Sequence, residues 1–272
     1  MHDFTPEQYQ LLTEALYASD IRYTLMHDVD ARPEYSLRIA RMEADAGIKA
    51  TYYFRSMHFE SHRETIRAIV ALGHEAGYHY ECLTTCNGDI DKAYGDFLHN
   101  LEKLRKIAPV HTACAHGSPR SPWNNQEMWE SKGQRVEESK GRRVKETESQ
   151  RVYDIHALGI EYEPLLDTDF SRTLYLTDTG RRWDGHRVSI RDKVPQHQKE
   201  WEREGLTFHT TDDITHAIND LQHPIHQKAL LLNTHPQRWM PFGAQWLAEA
   251  GIQWWKNNAK RLIVWYMDDR NM

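Results

Sequence analysis

The stretch RYTLMHDVDARPEYSLRIARMEADAGIKATYYF, residues 22–54, contains a complete strand–helix–strand unit. Residues 22–26 are predicted to form a strand, and the sequence His-Asp-Val-Asp follows at its end. Residues 33–46 predict a helix, which begins with a proline and ends before Gly47, a residue suited to the left-handed position after a helix. Residues 50–54 predict the next strand. A strand, a helix and a second strand in this order indicate a parallel β-sheet.

The same alternation continues along the chain. Further strands are predicted at 77–80, 109–115, 174–177, 207–209 and 229–233, with helices at 64–72 and 91–107 between them. At 272 residues the chain fits one large domain, because α/β barrels commonly exceed about 200 residues without dividing. The sequence therefore predicts a single α/β domain over residues 1–272, with its parallel sheet closed into a barrel.

Acidic and imidazole side chains gather where four of the predicted strands end. The four sequences are MHDVD at 26–30, GHEAGYHYE at 73–81, AHGSP at 115–119 and NTHPQRW at 233–239. In a barrel of parallel strands the carboxyl ends of the strands share one face, and active sites lie there. Clustered carboxylates and histidines are typical ligands of a catalytic metal ion. The pattern predicts a metal-assisted hydrolase site.

Composition narrows the classes of partner. The net charge of −6 argues against a nucleic-acid-binding face, since phosphate backbones bind basic surfaces. The three cysteines, Cys82, Cys86 and Cys114, include no Cys-x-x-Cys pair, which favours a reduced compartment. No apolar run approaches the length of a membrane span, and the first residues lack a secretion signal. We therefore expect a cytoplasmic protein without a membrane span.

One segment departs from the alternation. Residues 130–153 form three tandem octads, ESKGQRVE, ESKGRRVK and ETESQRVY. With one valine per octad and charges of both signs, the segment has too little apolar surface to fold alone. We interpret it as a solvated repeat insertion at about 131–152, and a basic patch for a partner is the competing interpretation.

Three blocks resemble the polysaccharide deacetylase family of carbohydrate esterases, in the branch with His-Asp-Val-Asp at the first motif. They are DVDARPEY at 28–35, GIKATYYF at 47–54 and LGHEAGYH at 72–79, in the family's order and spacing. The resemblance is specific over roughly residues 20–82 and looser to about residue 240. It implies a single-domain α/β fold of the distorted, incomplete (β/α)7 barrel type. It also implies a carbohydrate deacetylase, a hydrolase of C–N bonds other than peptide bonds, with a divalent metal cofactor, zinc first.

The resemblance assigns roles at the first motif. Asp28 takes the place of the family's general base, and Val29 stands where the family has a metal-ligating carboxylate. Asp30 is the expected replacement, because residues two apart in an extended segment share a face. The alternative is that Asp28 and Asp30 only cap the helix that follows.

The second motif also departs from the family. His79 takes the place of the first metal histidine, whereas Leu83 stands at the second. His116 is our expected third ligand, and Glu81 and His74 are the alternatives. His116 could instead form a hydrogen bond to substrate or backbone without contacting a metal ion.

The last motif places His235 at the position of the family's catalytic acid. Five further residues are candidates for substrate binding: Arg120, Arg182, Trp183, Arg238 and Trp239. Arginine suits an anionic group such as phosphate, and tryptophan suits the face of a sugar. Structural packing of the two tryptophans is the alternative.

These residues predict a metal-dependent hydrolase that removes an N-acetyl or related acyl group from a sugar or sugar precursor. Without a secretion signal, the expected substrate is a carbohydrate precursor, lipid-linked or nucleotide-linked, rather than finished wall polymer. Two other functions remain open because Val29 and Leu83 replace family ligands. One is a metal-independent amidase that cleaves a non-sugar C–N bond, and the other is a catalytically degenerate barrel that binds glycan.

Overall fold

A computed structural model describes residues 2–118, 121–129, 153–183, 188–189 and 192–269, the last nine of these by backbone alone. Six parallel strands form one sheet in the order β4-β3-β2-β1-β6-β5. The strands are β1 (Tyr23–Val29), β2 (Thr51–Phe54), β3 (Glu75–Tyr80), β4 (Ala113–Ala115), β5 (Thr173–Thr177) and β6 (Ala229–Thr234).

On one side of β1 lie β2, β3 and β4 in chain order, and on its other side lie β6 and then β5. The sheet therefore follows the chain order around an incomplete ring that is open between β4 and β5. A single isolated parallel bridge pairs Thr112, just before β4, with Tyr162 on the open side. The observed architecture is an incomplete (β/α) barrel of six parallel strands, so the predicted fold class is confirmed. The boundaries of the single domain remain a prediction, and the insertion at about 131–152 lies outside the described residues.

Nine α-helices occur in the described part of the chain. They are α1 (Pro6–Ala18), α2 (Pro33–Asp45), α3 (Arg63–Ala71), α4 (Cys82–Thr85), α5 (Ile90–Arg105), α6 (Pro164–Asp167), α7 (Pro195–Arg203), α8 (Thr211–Asn219) and α9 (Ala244–Asp269). Among these described helices, none combines the length and the apolar character that crossing a membrane requires.

The predicted strand at 207–209 is wrong. These residues are irregular and lead into α8, where Thr210 is the N-cap and exchanges hydrogen bonds with Asp213 in a capping box. Leu206 and Phe208 are both buried, and their alternating positions resemble the pattern of a strand. The stretch is too short for this pattern to distinguish a strand from a packed loop.

Glu43 of α2 connects the helical layer to the sheet. Its buried carboxylate lies 2.8 Å from Nε2 of His27 and accepts hydrogen bonds from the hydroxyls of Tyr9 and Tyr52. Burial opposes the charge, but His27 and the two hydroxyls hold the pKa of Glu43 below its usual value. Successive residues of a strand face opposite sides of the sheet. Because His27 faces the helices, Asp28 faces the inner side of the sheet.

Candidate metal centre and active site

Side chains from the carboxyl ends of β1, β3, β4 and β6 meet at one point. Oδ1 of Asp30 lies 3.6 Å from Nε2 of His79 and 3.4 Å from Nε2 of His116. Oδ2 of Asp30 lies 3.7 Å from Nε2 of His235, and Oδ1 of Asp28 lies 3.7 Å from Nε2 of His79. The five residues assigned to catalysis or metal binding from the sequence are therefore neighbours.

Asp30, His79 and His116 form a donor set that fits a divalent cation. Each offers one ligand atom, and the three atoms lie within 4.8 Å of one another. Among the described residues, three buried atoms here have no hydrogen-bond partner: Oδ1 of Asp28, Oδ1 of Asp30 and Nε2 of His79. Buried polar atoms in native proteins are nearly always paired, so unpartnered atoms around His79 mark this point as a candidate cation site.

In His79 and His116, the ring nitrogen that faces away from the site is within hydrogen-bond distance of a partner, as is usual for metal-ligating histidines. Nδ1 of His79 donates to the carbonyl oxygen of Cys114 at 2.9 Å, which directs the lone pair of Nε2 into the site. Nδ1 of His116 lies 3.1 Å from Oε2 of Glu81 and 2.9 Å from the hydroxyl of Ser118. A carbonyl or carboxylate behind a ligating imidazole fixes its tautomer and orientation. Burial lowers the pKa of His79, which favours the neutral form that binds metal.

The other candidates for the third ligand lie outside this set. Glu81 forms a two-pronged ion pair with Arg55, with its Oε1 2.6 Å from the guanidinium. Its pKa falls to about 2 although burial opposes the charge, because His116 and Arg55 donate hydrogen bonds to it. His74 is buried elsewhere, where its Nε2 lies 2.8 Å from the carbonyl oxygen of Ala40. The role of His116 as the ligand stays a prediction.

A second donor set shares His79 with the first. Asp28, His79 and Cys114 also place ligand atoms within 4.8 Å of one another. Burial raises the pKa of the Cys114 thiol well above its usual value. A protonated thiol is a poor metal ligand, so the set that includes Asp30 and His116 is the better candidate.

Asp28 is held by a residue that the sequence did not identify. Oδ2 of Asp28 accepts a hydrogen bond of 2.7 Å from Nδ2 of Asn233, which also donates to the hydroxyl of Tyr175 at 3.1 Å. Tyr175 in turn donates to Asp192. The alternative that Asp28 and Asp30 only cap α2 is wrong, since the N-cap of that helix is Arg32 and no side chain forms a cap hydrogen bond there.

His235 is paired with Asp178, whose role the sequence also missed. Nδ1 of His235 lies 2.6 Å from Oδ1 of the fully buried Asp178, and the backbone N–H of His235 donates to Oδ2 at 2.9 Å. Burial and the Arg238 guanidinium favour a neutral imidazole, but Asp178 outweighs them and raises the pKa of His235. Despite burial, Arg238 and His235 lower the pKa of Asp178 to about 2. The available signal was the position of Asp178 directly after a predicted strand.

The candidate substrate residues separate into different environments. Trp183 and Trp239 are buried, and their indole N–H groups donate to Thr211 and to Asp178. Their burial contradicts the prediction that they stack on a sugar. Arg238 binds Asp178 and is only slightly exposed, so its first role is to hold that carboxylate.

Two other arginines complete the set of substrate candidates. Arg182 lies 3.4 Å from Nδ1 of His209, at the rim of the barrel. Arg120 lies outside the described residues.

No protein-family model matches the sequence, and no curated protein matches it. Among solved structures, a mutant of the peptidoglycan deacetylase PdaC from Bacillus subtilis is similar over 90% of this chain and 98% of its own, with 11% sequence identity and a TM-score of 0.37. A likeness at this level carries no argument about the reaction. The fold assignment rests on the strand order, and the class of site rests on the donor set.

Proposed function

We propose that the protein is a metal-dependent hydrolase that removes an N-acetyl or related acyl group from a sugar or sugar precursor. One observation carries this proposal: the unpartnered buried atoms of Asp28, Asp30 and His79 converge at the carboxyl ends of the strands, with His235 beside them. The site has a carboxylate on one side and, on the other, a histidine whose pKa is raised. Together they can supply both proton transfers of amide hydrolysis, the first from the attacking water and the second to the leaving amine.

Asp30, His79 and His116 would hold the cation, and zinc suits a set of two imidazoles and one carboxylate. When bound, the cation would polarise the acyl carbonyl and make a nearby water more acidic. Three protein ligands leave room for water and substrate, as a catalytic site requires.

Asp28 is the proposed general base. Asn233 occupies its Oδ2, so Oδ1 is the oxygen directed into the site and the one that accepts the proton of the attacking water. Because the amide of Asn233 fixes the carboxylate, Asp28 needs little rearrangement during proton transfer.

His235 is the proposed general acid. Its Nε2 faces Asp30 and its Nδ1 is held by Asp178, so the proton for the leaving amine comes from Nε2. Asp178 raises the pKa of His235. The imidazole of His235 therefore stays protonated to a higher pH than the imidazole of an isolated histidine does.

The sugar class and the cytoplasmic setting are part of the proposal. The sugar class rests on the sequence resemblance, and the cytoplasmic setting rests on the three cysteines, which are free and include no Cys-x-x-Cys pair. A lipid-linked or nucleotide-linked sugar precursor is the proposed substrate.

The decisive experiment compares purified protein with His79→Ala, using metal analysis and acetate release from N-acetylated sugars. His216→Ala is the matched control, because that histidine is exposed and outside the site. We expect near-stoichiometric zinc and activity in the parent and the control, and loss of both in His79→Ala. Metal-free protein that still cleaves amides would support the metal-independent amidase, and inert protein that binds glycan would support the degenerate barrel.

A further inference from the structure

A chain of hydrogen-bonded side chains leads from Asp28 to Asp192, a residue of the segment between β5 and α7. Nδ2 of Asn233 donates to Oδ2 of Asp28 at 2.7 Å and to the hydroxyl oxygen of Tyr175 at 3.1 Å. The hydroxyl of Tyr175 donates in turn to Oδ1 of Asp192. Asp28, Asn233 and Tyr175 are all buried, so these bonds are made where water competes little.

Asp192 fixes the direction of the bonds in this chain. Thr177 donates to its Oδ2 at 2.7 Å, and the hydroxyl of Thr179 donates to the same oxygen. Its other oxygen, Oδ1, is therefore the acceptor for Tyr175. An ionised carboxylate accepts hydrogen bonds and donates none, so the proton of the Tyr175 hydroxyl points toward Asp192. The oxygen of Tyr175 is left to accept a hydrogen bond, and Asn233 supplies it.

These directions select one orientation of the Asn233 amide. The carboxylate of Asp28 and the oxygen of Tyr175 both need a donor, and the amide NH2 group supplies one hydrogen to each. Among the described residues, Oδ1 of Asn233 has no hydrogen-bond partner, so the two N–H bonds alone set the orientation. A flipped amide would place its oxygen against the carboxylate of Asp28. Without the Tyr175 hydroxyl, one N–H group would be buried without an acceptor, which is unfavourable.

We propose that Tyr175 and Asp192 are positioning residues for Asp28 and act on it through Asn233. They keep the amide of Asn233 on Oδ2 of Asp28, so that Oδ1 stays directed toward the candidate cation site, 3.7 Å from Nε2 of His79. A reacting group held in this way needs little rearrangement before it reacts. The inference rests on the proposed function in one respect, that Asp28 is the general base.

The test compares Tyr175→Phe and Asp192→Asn with Tyr52→Phe, the matched control. Tyr52 is also buried, and its hydroxyl also donates to a carboxylate, that of Glu43. It pairs in register with His27, on the side of the sheet that faces the helices, so its hydrogen bond lies across the sheet from the candidate site. Circular dichroism verifies that each variant is folded.

Acetate release from N-acetylated sugars gives kcat and KM separately, and zinc content is measured on the same preparations. We expect Tyr175→Phe and Asp192→Asn to retain the metal and to lower kcat at least about tenfold and up to roughly 10²-fold, because a misplaced reacting group slows the chemical step. KM should change little, since neither residue is assigned to substrate binding. Tyr52→Phe should lower stability and leave kcat unchanged.

Two further measurements separate positioning from a general loss of structure. Adding Tyr175→Phe to Asn233→Ala should slow turnover no further, because residues that act through one contact are not additive. Crystal structures of the parent and of Tyr175→Phe give the distance from Nδ2 of Asn233 to Oδ2 of Asp28. This contact, 2.7 Å in the parent, should be broken in the variant.

An unchanged kcat in Tyr175→Phe, or an equal loss of kcat in Tyr52→Phe, would overturn the proposal. So would effects of Tyr175→Phe and Asn233→Ala that multiply in the double variant, or an intact contact between Asn233 and Asp28 in the crystal structure of Tyr175→Phe. The crystallographic distance requires no turnover. It therefore tests the positioning of Asp28 even in a protein that releases no acetate, a result that would count against the proposed function alone.

Discussion

At the scale of single residues, Asp28 and Asp30 are two positions apart and have different surroundings. Asp28 is held through one oxygen by Asn233. Asp30 faces three histidines, and although its burial opposes the charge, His116, His79 and His235 together lower its pKa. A carboxylate among imidazoles is suited to share a cation with them, while one with a free oxygen and a fixed partner is suited to accept a proton.

Asp28→Asn should abolish turnover and retain the metal, because an amide cannot accept the proton of water while Asp30 and His79 would still ligate. Asp30→Ala should lose both metal and activity. Zinc content and acetate release, measured on the same preparations, separate the two outcomes. If Asp28→Asn loses the metal and Asp30→Ala keeps it, the roles of the two carboxylates are reversed. If His116→Ala keeps full metal content, the third ligand is another residue, with Glu81 and His74 next.

His235→Ala should keep the metal and slow turnover by roughly 10²–10⁴-fold, the effect expected for removal of a general acid. The comparison is made at saturating substrate with matched zinc content. A loss of less than about tenfold would contradict the assignment of His235 as the acid.

Asp178→Asn should move the alkaline limb of the pH–rate profile to lower pH. A general acid must be protonated, so activity falls as pH rises through its pKa, and Asp178 raises the pKa of His235. Removing that charge lowers the pKa, and the loss of activity begins earlier. An alkaline limb that stays in place would show that another group donates the proton.

At the scale of elements, the buried cluster around Glu43 joins α1, α2, β1 and β2 behind the site. Glu43→Ala should lower the free energy of unfolding by about 3–5 kcal/mol, because it leaves His27 and two tyrosine hydroxyls buried without their acceptor. Denaturant titration checks this, with Glu64→Ala as the control, since Glu64 pairs with Arg67 on the exposed face of α3 and should cost at most about 1 kcal/mol.

The same cluster predicts a pH dependence of stability. The folded pKa of Glu43 lies below its usual value of 4.5, so its contribution is complete above that pH and is lost as pH falls through the folded pKa. The parent protein should therefore lose more stability than Glu43→Gln on acidification below about pH 4.5. Parallel acid losses in both proteins would show that other carboxylates determine acid unfolding.

At the scale of the whole molecule, the barrel could be predicted because its signals are local: apolar runs, helix caps and a glycine after a helix. The motifs that hold the five residues followed from their positions at strand ends, and the roles of these residues in catalysis and metal binding followed from the family resemblance. Asn233 and Asp178 also stand at strand ends, but their roles could not be predicted, because their partners Asp28 and His235 lie on other strands, distant in sequence. The burial of Trp183 and Trp239 depends on packing between elements, which residue type alone does not reveal.

The repeat insertion gives a final prediction for the whole chain. Deleting Ser131 to Val152 should leave the melting temperature within a few degrees and activity largely intact, because each doubling of loop length costs only about 0.6 kcal/mol. Tyr153, which would then follow Glu130, stacks on Tyr94 of α5 at 3.7 Å. The first residue after the deletion is therefore one that packs against a helix of the barrel. Thermal melting and acetate release of the shortened protein provide the measurement. A collapse in soluble yield would show that the octads are an integral element of the fold rather than an insertion.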